Sequence, residues 1–302
     1  MTMLAPRTAL PALTDRLPLG TTGLVVSPIC SGMTYDARVV PAAFEAGINF
    51  FFLTADMHWP IYEATRQGLA DLLRGHPSRR VEIVVACASY VTQPEFCFAP
   101  FDEVLAAVPA LGRLDLTIAG GSYGHELAAR IEMYKVHKVT GHAGARGIGA
   151  SFHDRDAARE HLASGALDIQ YVRYNPCHPG AREDLFPHVC ARAAGRTTLL
   201  YNFKSTDSWV ESDARYAALG VGADNWKPHI TDYYRFALTT PALDGILCGM
   251  PSPDGIVELA DALAKGPLDD EDHQYLIELG ILEKRHREVE RRRRIADAVR
   301  ET

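Results

Sequence analysis

The sequence predicts an α/β protein, a (β/α)8 TIM barrel with an N-terminal β-hairpin and extra C-terminal helices. Three observations predict it. Short apolar runs alternate with amphipathic helical stretches along the whole chain. Eight such runs can be separated, and parallel strands joined through helices close most simply into a ring. The length, 302 residues, lies within the range of one such barrel. An open doubly wound sheet would carry a Gly-rich phosphate turn after its first strand, and Val26-Ser27-Pro28-Ile29-Cys30-Ser31-Gly32 is no such turn.

Taken in order, Leu17-Pro18-Leu19-Gly20-Thr21-Thr22-Gly23-Leu24 reads as a hairpin ahead of the barrel. The expected strands are Val26 to Ser31, Asn49 to Thr54, Val81 to Ala88, Leu114 to Ala119, Gly147 to Ser151, Ile169 to Tyr174, Thr198 to Phe203 and Gly245 to Cys248. Each is short, rich in β-branched or aromatic residues, and bounded by Gly, Pro or polar residues. Helical patterns lie between them: Tyr62 to Leu73, Phe101 to Leu111, Glu126 to Val136, Ala157 to Leu162, Asp184 to Ala194, Thr231 to Leu238 and Ile256 to Leu263. Pro267 to Gly280 and Leu282 to Arg300 read as two further helices. The mixed charges of Glu283 to Arg294 mark a solvated helix face. No linker is evident, so residues 1–302 are expected to form a single domain.

Composition narrows the function classes. A net charge of −7 argues against a nucleic-acid partner or an anionic-membrane surface. No apolar run of about 18 residues is present, so no transmembrane helix is expected. The N-terminus lacks the apolar core of a signal peptide, which makes the cytoplasm the expected location. The six cysteines are scattered without a C-x-x-C pair, which disfavours a disulfide framework or a zinc ribbon.

One segment carries more information than any other: Gly47-Ile-Asn-Phe-Phe-Phe-Leu-Thr-Ala-Asp-Met-His58. It resembles the second barrel strand of the aldo-keto reductases, which usually reads G-I-N-F-F-D-T-A-x-x-Y. The resemblance extends to Val172-Arg173-Tyr174-Asn175 through Leu185-Phe186-Pro187, to Asp232 through Pro241, and to Gly266-Pro267-Leu268. These stretches are like a bacterial subgroup carrying R-Y-N-x-x-H-x-G-A-E and Y-R-F-A-L-S-x-P. The resemblance implies a barrel of that family and a tetrad of Asp, Tyr, Lys and His at its mouth. With the frame anchored on Thr54-Ala55, Leu53 stands at the Asp position and His58 at the Tyr position. Ala88 and Gly120 stand where the Lys and the His belong, so all four positions read as replaced. Cofactor residues implied by the resemblance are Ser151, Asn175, Gly249 and Ser252. Phe152 follows Ser151 where an Asn is usual, and no Arg or Lys occurs from Gly249 through Ala264. An adenosine 2′-phosphate normally needs such a cation, which makes NAD(P)H a doubtful cofactor.

Thr54, Asp56 and His58 share one parity at a strand end, and barrel chemistry is found at the C-terminal mouth. An imidazole with an ordinary pKa near ~6.5 both gives and takes protons, so His58 is the expected acid/base, with Asp56 either orienting it or capping the next turn. His153 and Lys204 are the remaining catalytic candidates; Lys204 lies in an apolar run where desolvation would lower its pKa. His125, Glu126 and His178 also follow strand ends, with structural roles as their simpler reading, and Trp59, Trp209, Trp226 and Tyr123 are candidates for an aromatic pocket or for ordinary packing. Asp56 and His58 with His153 or His125 would make a carboxylate-plus-histidine metal set, although no short-spaced ligand motif supports a metal.

The leading expectation is an enzyme of small-molecule, specialised metabolism that performs elimination, cyclisation or isomerisation on a partly aromatic substrate. The rivals are an atypical NAD(P)H reductase with His58 replacing the Tyr, a metal-dependent enzyme, and a non-catalytic binding protein. A homo-oligomer or a partner enzyme is left open.

Overall fold

The computed structural model describes residues 4–122 and 124–300, for 122, 124 and 125 the backbone only. A hairpin of β1 (Leu17–Leu19) and β2 (Leu24–Val26) precedes a closed ring of parallel strands. The ring runs β3 (Ile29–Ser31), β4 (Phe50–Thr54), β5 (Val84–Ser89), β6 (Leu116–Ser122), β7 (Gly147–Phe152), β8 (Ile169–Arg173), β9 (Leu199–Phe203) and β10 (Gly245–Cys248), and β10 pairs with β3. Between strands lie α1 (Val39–Glu45), α2 (Glu63–Gly75), α3 (Ala99–Ala107), α4 (Gly124–Thr140), α5 (Arg155–Ser164), the short α6 (Ala181–Asp184), α7 (Asp213–Ala218) and α8 (Ile230–Thr239). After the last strand come α9 (Asp254–Ala264) and α10 (Asp270–Arg300). The expected barrel, hairpin and C-terminal helices are therefore present. None of the described helices is long and apolar enough to cross a membrane.

Two helix expectations need correction. Asp184 to Ala194 is not one helix, because Pro187 interrupts it; α6 ends at Asp184 and only 3-10 turns follow at Phe186–His188 and Arg192–Ala194. The two expected C-terminal helices are one. Gly280 does not break α10 but allows it to approach the loop after β8, since a Cβ there would lie 2.6 Å from Pro176.

A repeated device closes the bottom of the ring. The residue just before each of β4, β6, β8 and β10 sends its side chain back to the preceding strand or, for Asn49, to the segment that leads into β3. Asn49 accepts from Ser27 N at 2.7 Å, Asp115 from Val85 N at 2.8 Å, Asp168 from Ile148 N at 3.0 Å and Asp244 from Leu200 N at 2.8 Å. The three aspartates return their own N–H to the carbonyl of the same residue. All four side chains are buried, and each of the three carboxylates meets a cation: Arg80 and Arg113 at Asp115, Lys138 at Asp168 and Arg196 at Asp244. Asp168 also accepts from Thr21 N in the hairpin turn at 2.9 Å, which fastens the hairpin across the base.

Inside the ring, aromatic rings from opposite walls meet. Phe52 of β4 lies 5.3 Å from Tyr171 of β8, Phe50 lies 5.7 Å from Tyr201 of β9, and the two tyrosines are 6.0 Å apart. Because β4 and β8 stand four places apart in a ring of eight, these contacts cross the lumen and identify its lining face. The strand register then places Thr54, Ala88, Ser151, Arg173 and Phe203 on that face at the upper end.

Helix α10 clamps the loops after β8 and β9. Its Glu283, 1% exposed, accepts from Arg215 and Arg287, and Arg287 reaches the carbonyls of Asp207 and Trp209. Its Lys284 contacts His178 Nε2 at 3.3 Å, and its His273 stacks on Phe236.

Two outcomes are expected. Asp115→Ala strips buried Val85 N and Arg80 of their acceptor and should lower stability by about 3–5 kcal/mol, measured by chemical denaturation. His178 and His273 are both held down to about 4, chiefly by burial. The unfolded chain binds their protons from its ordinary value of 6.5 downward while the folded chain refuses them, so their contribution is complete above 6.5 and lost as pH falls toward 4. Denaturation midpoints should fall across this window, and His178→Gln with His273→Gln should flatten the slope.

Candidate active site at the barrel mouth

Two clusters occupy opposite sides of the mouth. The first stands over β4 and β5. Asp56 follows β4 with φ 78, a left-handed conformation that costs a non-glycine residue about 1–3 kcal/mol. That conformation turns its carboxylate toward the end of β5, where Oδ2 accepts from Ser89 Oγ and Tyr90 N at 2.8 Å each; Oδ1 accepts from Met57 N at 2.5 Å. Asp56 thus staples two strand ends, and no hydrogen bond joins it to His58 among the described residues. The imidazole of His58, half-buried, instead meets the ring of Tyr90 edge-on at 4.9 Å.

Tyr90 is the residue that sequence reasoning missed. It immediately follows β5, so the strand-end rule that selects His58 would have selected it too. Burial, reinforced by the negative charge of Asp56, pushes its phenol up to about 12. Its ring also explains Gly120: a Cβ there would lie 3.0 Å from that ring and from the carbonyl of Ser89. Tyr90 therefore fills the space that a larger side chain at position 120 would need.

The frame anchored on Thr54-Ala55 requires a correction. It places Leu53 at the acid's position, but Leu53 lies on the face of β4 opposite Phe52 and Thr54, outside the lumen. A group acting in the mouth from this strand would come from Phe52 or Thr54, neither of which ionises. Ala88 does face inward, paired with Thr54.

The second cluster stands over β7, β8 and β9. His153 packs edge-on against Phe203 at 5.3 Å. Burial first, then the charges of Arg173 and Lys204, lower its pKa. Lys204 is not desolvated as expected. It is exposed, one residue beyond β9, with φ 58, and its carbonyl accepts from Asn175 Nδ2 at 2.8 Å. The side chain of Arg173, half-buried at the end of β8, makes no hydrogen bond or ion pair among the described residues. Its signal in the sequence was a lone cation at the same parity as Tyr171 in an apolar strand.

Behind this cluster, Cys177 Sγ, His178 Nδ1 and an Asp207 carboxylate oxygen lie within 4.8 Å of one another, the one group of potential metal ligands among the described residues. The surroundings oppose a metal there. Lys284 faces His178 Nε2 and can only donate, which leaves the ring proton on Nδ1, directed at Asn175 Oδ1 at 3.1 Å. Asp56, His58 and His153 form no such group among the described residues; Tyr123 and the His125 side chain lie outside them. Glu126 lies in the first turn of α4. Trp59 is covered by Arg66 at 3.7 Å, Trp226 packs against Tyr275 of α10, and Trp209 lies against the core.

Comparison with known proteins bears on the fold. No family model matches the sequence, and no curated protein matches it significantly. Among solved structures, the chain is similar to the holo form of an aldo-keto reductase from Bacillus halodurans, with 17% identity over 88% of this chain and 96% of that one, at a TM-score of 0.65. It is also similar to an aldo-keto reductase from Bombyx mori in complex with NADP, with 15% identity over 90% and 94% of the two chains, at a TM-score of 0.64. The resemblance expected from the sequence thus holds as a shared fold.

That fold raises the question of a nicotinamide cofactor, and the residues expected to hold one are engaged elsewhere. Ser151 Oγ accepts from Gly121 N at 2.9 Å. Asn175 is fully buried and uses both ends of its amide, Oδ1 within its own loop and Nδ2 at the Lys204 carbonyl. The Gly249 carbonyl accepts from Tyr234 Oη at 2.8 Å. Ser252 precedes α9, whose first turn carries Asp254, an acid where a phosphate would need positive charge. The nearby Arg38 is paired with Asp36. These residues do not fit the dinucleotide in the way the resemblance implies.

Asp56→Ala should lower stability by about 2 kcal/mol through loss of its charged hydrogen bonds. Asp56→Gly, freed of the backbone cost, should lose less, and denaturation midpoints of the two variants give the comparison.

Proposed function

We propose that this protein is an enzyme of small-molecule metabolism on an aldo-keto-reductase fold, with the family's tetrad replaced. In this reading it catalyses non-redox proton transfer (elimination, cyclisation or isomerisation) on a small, partly aromatic substrate in the cytoplasm. One observation carries the proposal: His58 and Tyr90 meet at the mouth, with non-ionising Thr54, Ala88 and Gly120 around them. His58 is the acid/base. Tyr90, kept as a phenol at neutral pH, donates a hydrogen bond to the oxygen on which charge develops. Asp56 acts on this pair as a positioning residue through the end of β5. A second reading, a reductase whose proton donor is His58, draws on the shared fold with an NADP-bound enzyme.

One experiment separates the two. Small-molecule extracts are incubated with the protein in D2O, with and without NADPH, and followed by mass spectrometry, with NADPH binding read by intrinsic fluorescence. The expected result is a metabolite converted without a change of oxidation state, with or without NADPH. His58→Asn and Tyr90→Phe should slow that conversion by about 10²–10⁴-fold while circular dichroism stays unchanged. Saturable NADPH binding with NADPH-dependent carbonyl reduction would establish the second reading instead.

A further inference from the structure

The chain is acidic overall, yet the β7–β9 side of the mouth gathers cations without counter-ions. Arg173 and Phe203 are register partners on the lumen face, Lys204 is the next residue along, and His153 lies against Phe203. Among the described residues, the guanidinium of Arg173 and the ammonium of Lys204 make no ion pair. Asp207, the acid of the same loop, faces His178 at 3.8 Å. By contrast, the buried guanidinium groups of Arg80 and Arg196 are paired with buried carboxylates, and that of Arg130 donates to the carbonyls of Ser89 and Gly120. A half-buried guanidinium without any partner is costly. Lys204 also keeps a left-handed backbone that a glycine would adopt without cost. That conformation presents the Lys204 carbonyl to Asn175 and leaves its side chain exposed beside Phe203 at the end of β9.

We propose that Arg173, Lys204 and His153 form the receiving site for an anionic group, a carboxylate or a phosphate, on the substrate. Arg173 offers the planar fork that such groups accept in bidentate fashion, and Lys204 adds a mobile point charge. His153, with its ring fixed by Phe203, supplies a third donor, and Phe203 forms an apolar wall beside the anion. The inference rests on the proposed reaction for its meaning, since the anion would anchor the substrate across the mouth from His58 and Tyr90. It does not rest on that reaction for its test.

The probes are inorganic phosphate and benzoate, titrated separately into the full chain and read by the ring-proton shifts of His153 and by thermal unfolding. At least one should bind saturably, moving the His153 resonances and raising the melting temperature. Tighter benzoate identifies a carboxylate site and tighter phosphate a phosphoryl site. Arg173→Gln should weaken binding by about ten-fold or more, as expected for a lost charge-assisted pair, and Lys204→Gln should weaken it too, giving a second variant should the first fold poorly. His58→Asn should bind as wild type does, so failure of the acid/base reading leaves this result standing. Absence of saturable binding by either anion, or affinity unchanged in both variants, would overturn the proposal.

Discussion

The geometry of this molecule depends on buried carboxylate and amide groups that bind the backbone of the neighbouring strand at the bottom of the ring. Asp115, Asp168 and Asp244 each hold one N–H of the strand before them, and Asn49 holds that of Ser27 just ahead of β3. Such a bond holds only at one register, since a one-residue slip would strand a buried charge and turn every side chain to the other face. Register in turn decides which residues line the lumen. Through it, groups at the base determine that Thr54 and Arg173 face the mouth while Leu53 does not.

At the upper end the same ring is finished by loops rather than by strand pairing, and the backbone bears the cost. Among the described residues, Asp56, Ala143 and Lys204 are the non-glycines with positive φ. Asp56 and Lys204 both sit just past strand ends on opposite sides of the mouth. The first uses its conformation to lock β4 to β5 and so supports the His58–Tyr90 contact. The second lends its carbonyl to Asn175 while its side chain stays exposed. The two strained positions thus frame the space between the clusters.

Much of this was legible in the sequence. Eight short apolar runs with helical stretches between them are enough for the barrel, and the last strand, Gly245–Cys248, has the expected bounds. Gly280 was misleading because its role is set by a distant loop, which periodicity cannot register. Tyr90 and Arg173 were missed for different reasons. Tyr90 follows a strand whose expected limits began three residues early, at Val81, drawing attention away from its other end. Arg173 was absorbed into a motif read for resemblance rather than for parity. The apolar run before Lys204 suggests desolvation, but the residue follows the strand in a left-handed turn and its side chain is exposed. The basal stitches themselves are written plainly in Arg113-Leu114-Asp115, Ala166-Leu167-Asp168 and Ala242-Leu243-Asp244, a repeat visible once its function is known.

That repeat has a mechanical corollary. Basal stitches join β4 to the segment that leads into β3, β6 to β5, β8 to β7 and β10 to β9, while among the described residues the junctions between these pairs lack this buried side-chain-to-N–H stitch at the base. The barrel is therefore built as four two-stranded staves with alternating strong and plain seams. Breathing of the ring should begin at the plain ones. Two of these, β4 with β5 and β8 with β9, are the seams where the Asp56 staple and the Asn175–Lys204 bond bridge the upper rim.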